Sequence, residues 1–106
     1  MRNLARNRYA KTRARAAAGA ALLDRVVPGW WRRVRIRKLD ISDDCNCVTG
    51  QLFGTYTKGL IELELGTDEA KDYGFENQIG SAGYWILTDA WREELRARRY
   101  GYRVTG

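Results

Sequence analysis

The chain has 106 residues, 44% of them hydrophobic and 30% charged, with a formal net charge of +6 and no histidine. That length holds one domain with a modest core and leaves little room for a large buried catalytic cavity. The composition excludes a disordered or collagen-like chain, and no apolar run approaches the roughly 20 residues that span a bilayer.

The charge is unevenly placed. Residues 1 to 38 carry twelve Lys or Arg against Asp24 alone, residues 39 to 90 carry Lys58 and Lys71 against ten acids, and residues 91 to 106 carry five bases against two acids. Arg2, Arg6, Arg8, Lys11, Arg13 and Arg15 fall within the first 15 residues, with no acid among them. An arm of this kind is an electrostatic footprint for phosphate backbones, because each contacted phosphate releases condensed counterions. The plainer alternative is a solubilising tail whose charge complements the acidic middle. The arm is expected over residues 1 to 12, flexible or as a helical extension, and a single helical domain over 13 to 106. "AAAGAALL" (residues 16 to 23) is too weakly hydrophobic for a secretory core, so a bacterial cytoplasm is the expected setting and an organellar transit peptide the less favoured one.

"TRARAAAGAALLDRVV" (residues 12 to 27) predicts an Ala-rich helix, beginning at Thr12 or as early as Asn3 or Asn7, and stopped by Pro28. A short second helix is expected over residues 28 to 34, with Trp30 and Val34 on one face, so that at least one indole packs against the first helix while the arginines splay outward. "VRIRKLDIS" (residues 34 to 42) alternates loosely and suggests an extended connector or a short strand over 34 to 41. Ser42 with Asp43 and Asp44 reads as the cap of a third helix reaching Phe53. Thr55 or Thr57 caps a fourth that ends at Gly66, and Thr67 a fifth that ends at Gly74. Residues 75 to 83 read as a loop. "YWILTDAWREELRARR" then places Tyr84, Leu87, Trp91 and Leu95 on one apolar stripe. The fold class is therefore mainly α, a small single domain of five to six helices.

Cys45 and Cys47 supply two thiols, and a zinc site would need two more ligands from carboxylates such as Asp43 and Asp44; buried or half-buried helix thiols are the default reading, ahead of a metal or a strained Cys-x-Cys disulfide. No nucleophile is paired with a base, and "GQLFG" (residues 50 to 54) lacks the lysine and the preceding strand of a phosphate loop. "QLF" faintly resembles the peptides that dock on bacterial sliding clamps, but Leu52 and Phe53 inside a helix are more economically core residues.

Taken together, "ALLDRVVPGWWRRV", "LDISDDCNCVTGQLFGTYTKGL", "YGFE" and "LTDAWREELRARR" resemble a family of short proteins encoded by actinobacteria and their phages, to which no activity is attached. The resemblance covers residues 16 to 99. It implies a self-contained domain in an actinobacterial or phage context and carries over no functional residue; the basic arm lies outside it.

The sequence thus suggests a small non-enzymatic binding protein without cofactor or metal and without a membrane partner. Nucleic acid, DNA or RNA, is the first candidate ligand, gripped by Arg2, Arg6, Arg8, Lys11, Arg13 and Arg15 together with Arg32, Arg33 and Arg35. An exposed Trp31 would stack on an unpaired base or dock a partner. The alternative is an adaptor or inhibitor of a host or phage protein, anchored by its acidic middle and an exposed tryptophan.

Overall fold

A computed structural model describes residues 3 to 77 and 80 to 101, with the side chains of residues 3 to 8 and 80 to 82 outside the description. Five α-helices follow one another: α1 (Asn3–Val26), α2 (Val48–Phe53), α3 (Tyr56–Leu63), α4 (Thr67–Asp72) and α5 (Gly80–Tyr100). Two 3-10 turns, Trp30–Arg32 and Ile36–Lys38, lie between α1 and α2, and there is no strand among the described residues. The fold class is mainly α, as the sequence suggests.

The two long helices form the frame. Ala16, Ala20 and Leu23 on α1 and Leu87, Ala90, Trp91 and Leu95 on α5 are buried, so both apolar stripes meet in one core. Contacts between them fix their direction: a side chain at Gly19 would collide with Trp91, and Asp24 bonds Arg98. Residue numbers rise together along both helices, so α1 and α5 run parallel and their C-termini emerge at the same end. Trp91 is the centre of the core. It packs edge-on against Trp30 at 5.7 Å, stacks on Phe75 at 5.5 Å and donates its indole N–H to the Gly74 carbonyl at 2.6 Å.

Between the C-terminus of α1 and the start of α2, residues 29 to 41 form a strap that runs back along α5. Arg99 donates to the carbonyls of Trp31 and Val34, Arg92 to that of Leu39, and the Thr88 hydroxyl accepts the Ile41 N–H. On the other flank Arg33 donates to the Leu52 carbonyl, while Gln51 accepts the Arg35 N–H and donates to the Arg35 carbonyl. Side chains of α2 and α5 thus satisfy the backbone polar groups that a sheet partner would otherwise take. This is why the loosely alternating residues 34 to 41 make a pinned connector and no strand.

The middle of the chain departs from expectation. Residues 28 to 34 hold a 3-10 turn in place of an α-helix, although Trp30 and Val34 are both buried as their shared face requires. The helix expected from Ser42 begins only at Val48. Asp40 accepts the Ser42 N–H, and Asp43 accepts the N–H groups of Cys45 and Asn46, so these side chains hold local turns where a helix would need the same donors. The Cys47 sulfur caps α2 by accepting from Gly50. Thr55 caps α3 as expected, but that helix stops at Leu63, with Glu64 in the left-handed region. Gly66, not Thr67, is the cap position of α4, where Glu69 accepts its N–H. The final helix starts at Gly80, earlier than the Tyr84 start of the quoted stripe.

Candidate functional site

The basic side chains divide into those that build the fold and those that do not. Arg98 lies between α1 and α5, bonded to both oxygens of Asp24 and to Glu94. Arg99, Arg92 and Arg33 hold strap and α2 carbonyls, and Arg92 also pairs with Asp89. Arg25, Arg32, Arg35, Arg37, Lys38 and Arg96 are exposed, and no carboxylate lies within 4.0 Å of any of them among the described residues. Five of these six come from residues 25 to 38, and Arg96 lies on α5 between Arg92 and Arg99, the two arginines that reach the strap. The result is a cationic surface over the strap and the shared C-terminal end of the long helices.

That end is also where basic charge costs least. The C-termini of two parallel helices carry the negative ends of their dipoles, which favours cations there by about 0.3–1 kcal/mol each at exposed positions. Arg25 lies in the last turn of α1, and Arg98 and Arg99 in that of α5.

The sequence-based site is only partly assembled. Arg32, Arg33 and Arg35 fall on the cationic surface, with Arg33 engaged by Leu52. Arg2 lies outside the described residues, as do the side chains of Arg6 and Arg8. Lys11 is exposed, whereas Arg13 and Arg15 are half-buried on a continuous α1 that starts at Asn3. Thr12, only 4% exposed, is already part of the packed helix, and residues 3 to 12 continue that helix toward the N-terminus, the helical one of the two forms expected for this segment. Lys11 and Arg25 stand about 21 Å apart along the axis of α1, at about 1.5 Å per residue.

Trp31 is half-buried, with the Arg32 guanidinium 4.6 Å above its ring and its carbonyl held by Arg99. The exposed tryptophan is Trp85, at 66%, which borders a groove of about 620 Å³ lined also by Leu39, Asp40, Ser42, Tyr84, Thr88 and Arg92. Trp30 and Trp91 are fully buried. Tyr100, 71% exposed at the end of α5, was not among the candidate residues. Its signal was present in the sequence, because residue 100 falls off the stripe of Tyr84, Leu87, Trp91 and Leu95 and directly follows "RARR".

The acidic residues gather elsewhere, on the turn at 40 to 46 and on α3 and α4. There a cleft of about 160 Å³ is lined by Asp43, Asp44, Cys47, Tyr56, Glu76 and Tyr84, among others. Tyr56 donates to Glu76 at 2.6 Å; burial, reinforced by that carboxylate, pushes the phenol well above its ordinary value. The backbone N–H groups of Cys45 and Asn46 hold Asp43 below the usual carboxylate value. Burial pushes the Cys47 thiol up, so its thiolate is disfavoured where its sulfur serves as a cap. Leu52 of the "QLF" triplet is buried, and its carbonyl is taken by Arg33.

No helix among the described residues is long and apolar enough to cross a membrane. No protein-family model, curated protein or solved structure matches the chain.

Proposed function

We propose that this chain is a non-enzymatic protein that binds nucleic acid by laying the phosphate backbone across the strap. The observation that carries the reading is the set of six exposed cations, Arg25, Arg32, Arg35, Arg37, Lys38 and Arg96, without carboxylate partners among the described residues. Cations crowded in this way repel one another in the free protein, and a polyanion relieves that repulsion while releasing its own counterions. The strap holds 3-10 turns and no α-helix that could enter a groove, which fits phosphate contact better than base readout in a duplex. The resemblance to actinobacterial and phage proteins makes a bacterial host cytoplasm the setting of this proposal.

The test is fluorescence anisotropy with labelled oligonucleotides over a salt series. Contact with five or six phosphates gives a log–log salt slope of about −5, and a loss of about a thousandfold in affinity between about 50 and 200 mM salt. The triple variant Arg35→Ala, Arg37→Ala, Lys38→Ala is expected to reduce the slope by about 3. Absence of binding at the low-salt end, or an unchanged slope in the triple variant, overturns the proposal.

A second reading, an adaptor or inhibitor bound to a protein partner, is favoured by one observation: the exposed Trp85 beside its groove. Trp is enriched among interface hot spots. Under this reading Trp85→Ala abolishes capture of a defined host protein while the strap triple variant keeps it.

A further inference from the structure

Resting on the phosphate-binding reading, we infer that the preferred ligand is single-stranded, with an unpaired base stacked on Tyr100 and the adjoining phosphates on Arg96 and Arg32. The contact between Asp24 and Arg98 sets the last turns of α1 and α5 side by side, and Arg99 ties the end of α5 to the Trp31 and Val34 carbonyls. Tyr100 therefore closes an α5 whose last turn lies beside the 3-10 turn that carries Trp31 and Arg32. Among the described residues its ring is the open aromatic there: Tyr100 is 71% exposed, whereas the Arg32 guanidinium covers one face of Trp31. Arg96 lies four residues before Tyr100, on the same side of α5, and is exposed. At the end of α1, Val26 adds an apolar neighbour that is 53% exposed.

A duplex closes its base faces within its own stack and presents phosphates outward, so an exposed ring adds little to duplex binding. A single strand offers bases to stack, and aromatic rings interleaved with cations are what such a strand requires. The same helix carries a built-in comparison. Trp85 is nearly as exposed as Tyr100 but lies about 22 Å away along α5. Its groove is of mixed charge, lined by Asp40 as well as Arg92, and Arg92 is paired with Asp89, whereas no carboxylate lies within 4.0 Å of Arg96 or Arg32 among the described residues. An aromatic beside unpaired cations is better suited to a nucleic-acid strand than one whose neighbouring arginine is paired with a carboxylate.

The experiment uses the full chain and two probes, a mixed-sequence single strand of about 12 nucleotides and the duplex of the same length, at low salt. Single-strand binding is expected to be the tighter. Tyr100→Ala weakens it roughly tenfold, while Tyr100→Phe and Trp85→Ala leave it unchanged, and the duplex affinity does not respond to Tyr100→Ala. Salt-dependent binding that is equal for both probes, or a single-strand affinity indifferent to Tyr100→Ala, overturns this inference and leaves the phosphate-binding proposal standing. If neither probe binds, both fall together.

Discussion

Arg98 grips both carboxylate oxygens of Asp24, Nε to Oδ1 at 3.0 Å and Nη2 to Oδ2 at 2.8 Å, across 74 positions of sequence. Asp24 Oδ1 also accepts the indole N–H of the fully buried Trp30 at 2.8 Å, and Arg98 reaches back to Glu94. One carboxylate thus joins α1, the strap and α5 at the end where the cationic surface lies. Asp24→Ala leaves the Trp30 N–H and the Arg98 guanidinium without this acceptor, and a loss of about 1–2 kcal/mol is expected in urea unfolding, the partial exposure of the carboxylate holding the figure down.

Asp24→Asn separates charge from hydrogen bonding, since an amide oxygen still accepts from Trp30. The hydrogen bond from Arg98 is the main cause that holds the Asp24 carboxyl below its ordinary value of 3.8. A depressed folded-state pKa contributes stability that is complete above the unfolded value and is lost as pH falls through the folded one. The gap in urea midpoint between the native chain and Asp24→Asn is therefore expected to be full at neutral pH and to close below pH 3.8. A gap independent of pH would remove the charge from this account.

What the sequence made legible, and what it did not, follows from the range of the interactions. α1, α3 and α5 are written in local patterns: the alanine run, the Thr55 cap, and the stripe through Leu87, Trp91 and Leu95. The burial of Trp30 and Val34 was also local, because one turn places them together. Residues 40 to 47 misled because Ser42, Asp43 and Asp44 suit a helix cap and a turn equally well; Asp40 and Asp43 chose turns, and a cysteine sulfur took over as cap. The parallel pairing of α1 with α5, which sets their C-termini side by side, is encoded by no local pattern. The same holds for the fates of the arginines, since Arg33, Arg98 and Arg99 look like Arg32, Arg35 and Arg96 until the carbonyls and carboxylates they meet are known.

Gly19 sits in the middle of α1, where glycine is a poor helix former, and its reason is tertiary. A β-carbon there would stand 2.0 Å from the Tyr73 carbonyl oxygen and 2.8 Å from the Trp91 ring. Gly19→Ala, favourable for an isolated helix, is expected to destabilise the protein by about 3 kcal/mol because backbone and the central tryptophan must both move. Gly66→Ala is the comparison: its φ is −80° and its nearest contact is the Glu69 carboxylate at 3.6 Å, so its urea midpoint should lie within about 1 kcal/mol of the native chain. Equal effects at the two positions would sink the close-approach explanation.

The two cysteines should behave as different chemical species. Cys45 is exposed, while Cys47 is buried, with its thiol pushed above the ordinary value mainly by burial and its sulfur accepting from Gly50 at 3.2 Å. Alkylation of the folded protein followed by peptide mass spectrometry should label Cys45 alone, and Cys47 only after denaturant is added. Cys47→Ser keeps a cap acceptor, whereas Cys47→Ala removes it and should cost about 1 kcal/mol of stability.

Truncation from the N-terminus tests whether Arg2, Arg6 and Arg8 are needed for the grip on nucleic acid. A chain starting at Tyr9 retains every residue of α1 described as buried, and it retains all six exposed strap and α5 cations. It should unfold at the native temperature and keep most of its salt-dependent affinity, because the truncation removes only the cations Arg2, Arg6 and Arg8 and leaves the strap cations in place. A chain starting at Ala16 loses the buried Thr12 and the Tyr9 and Arg13 walls of the groove against Ile86 and Ala90, and shortens a helix of 24 residues to fewer than half. Its cooperative unfolding transition should broaden or disappear, so loss of binding in that chain reports on folding. If instead the Tyr9 chain keeps its circular dichroism and melting temperature but loses nucleic-acid affinity altogether, the grip belongs to residues 1 to 8, and the strap cations serve solubility and the helix C-termini.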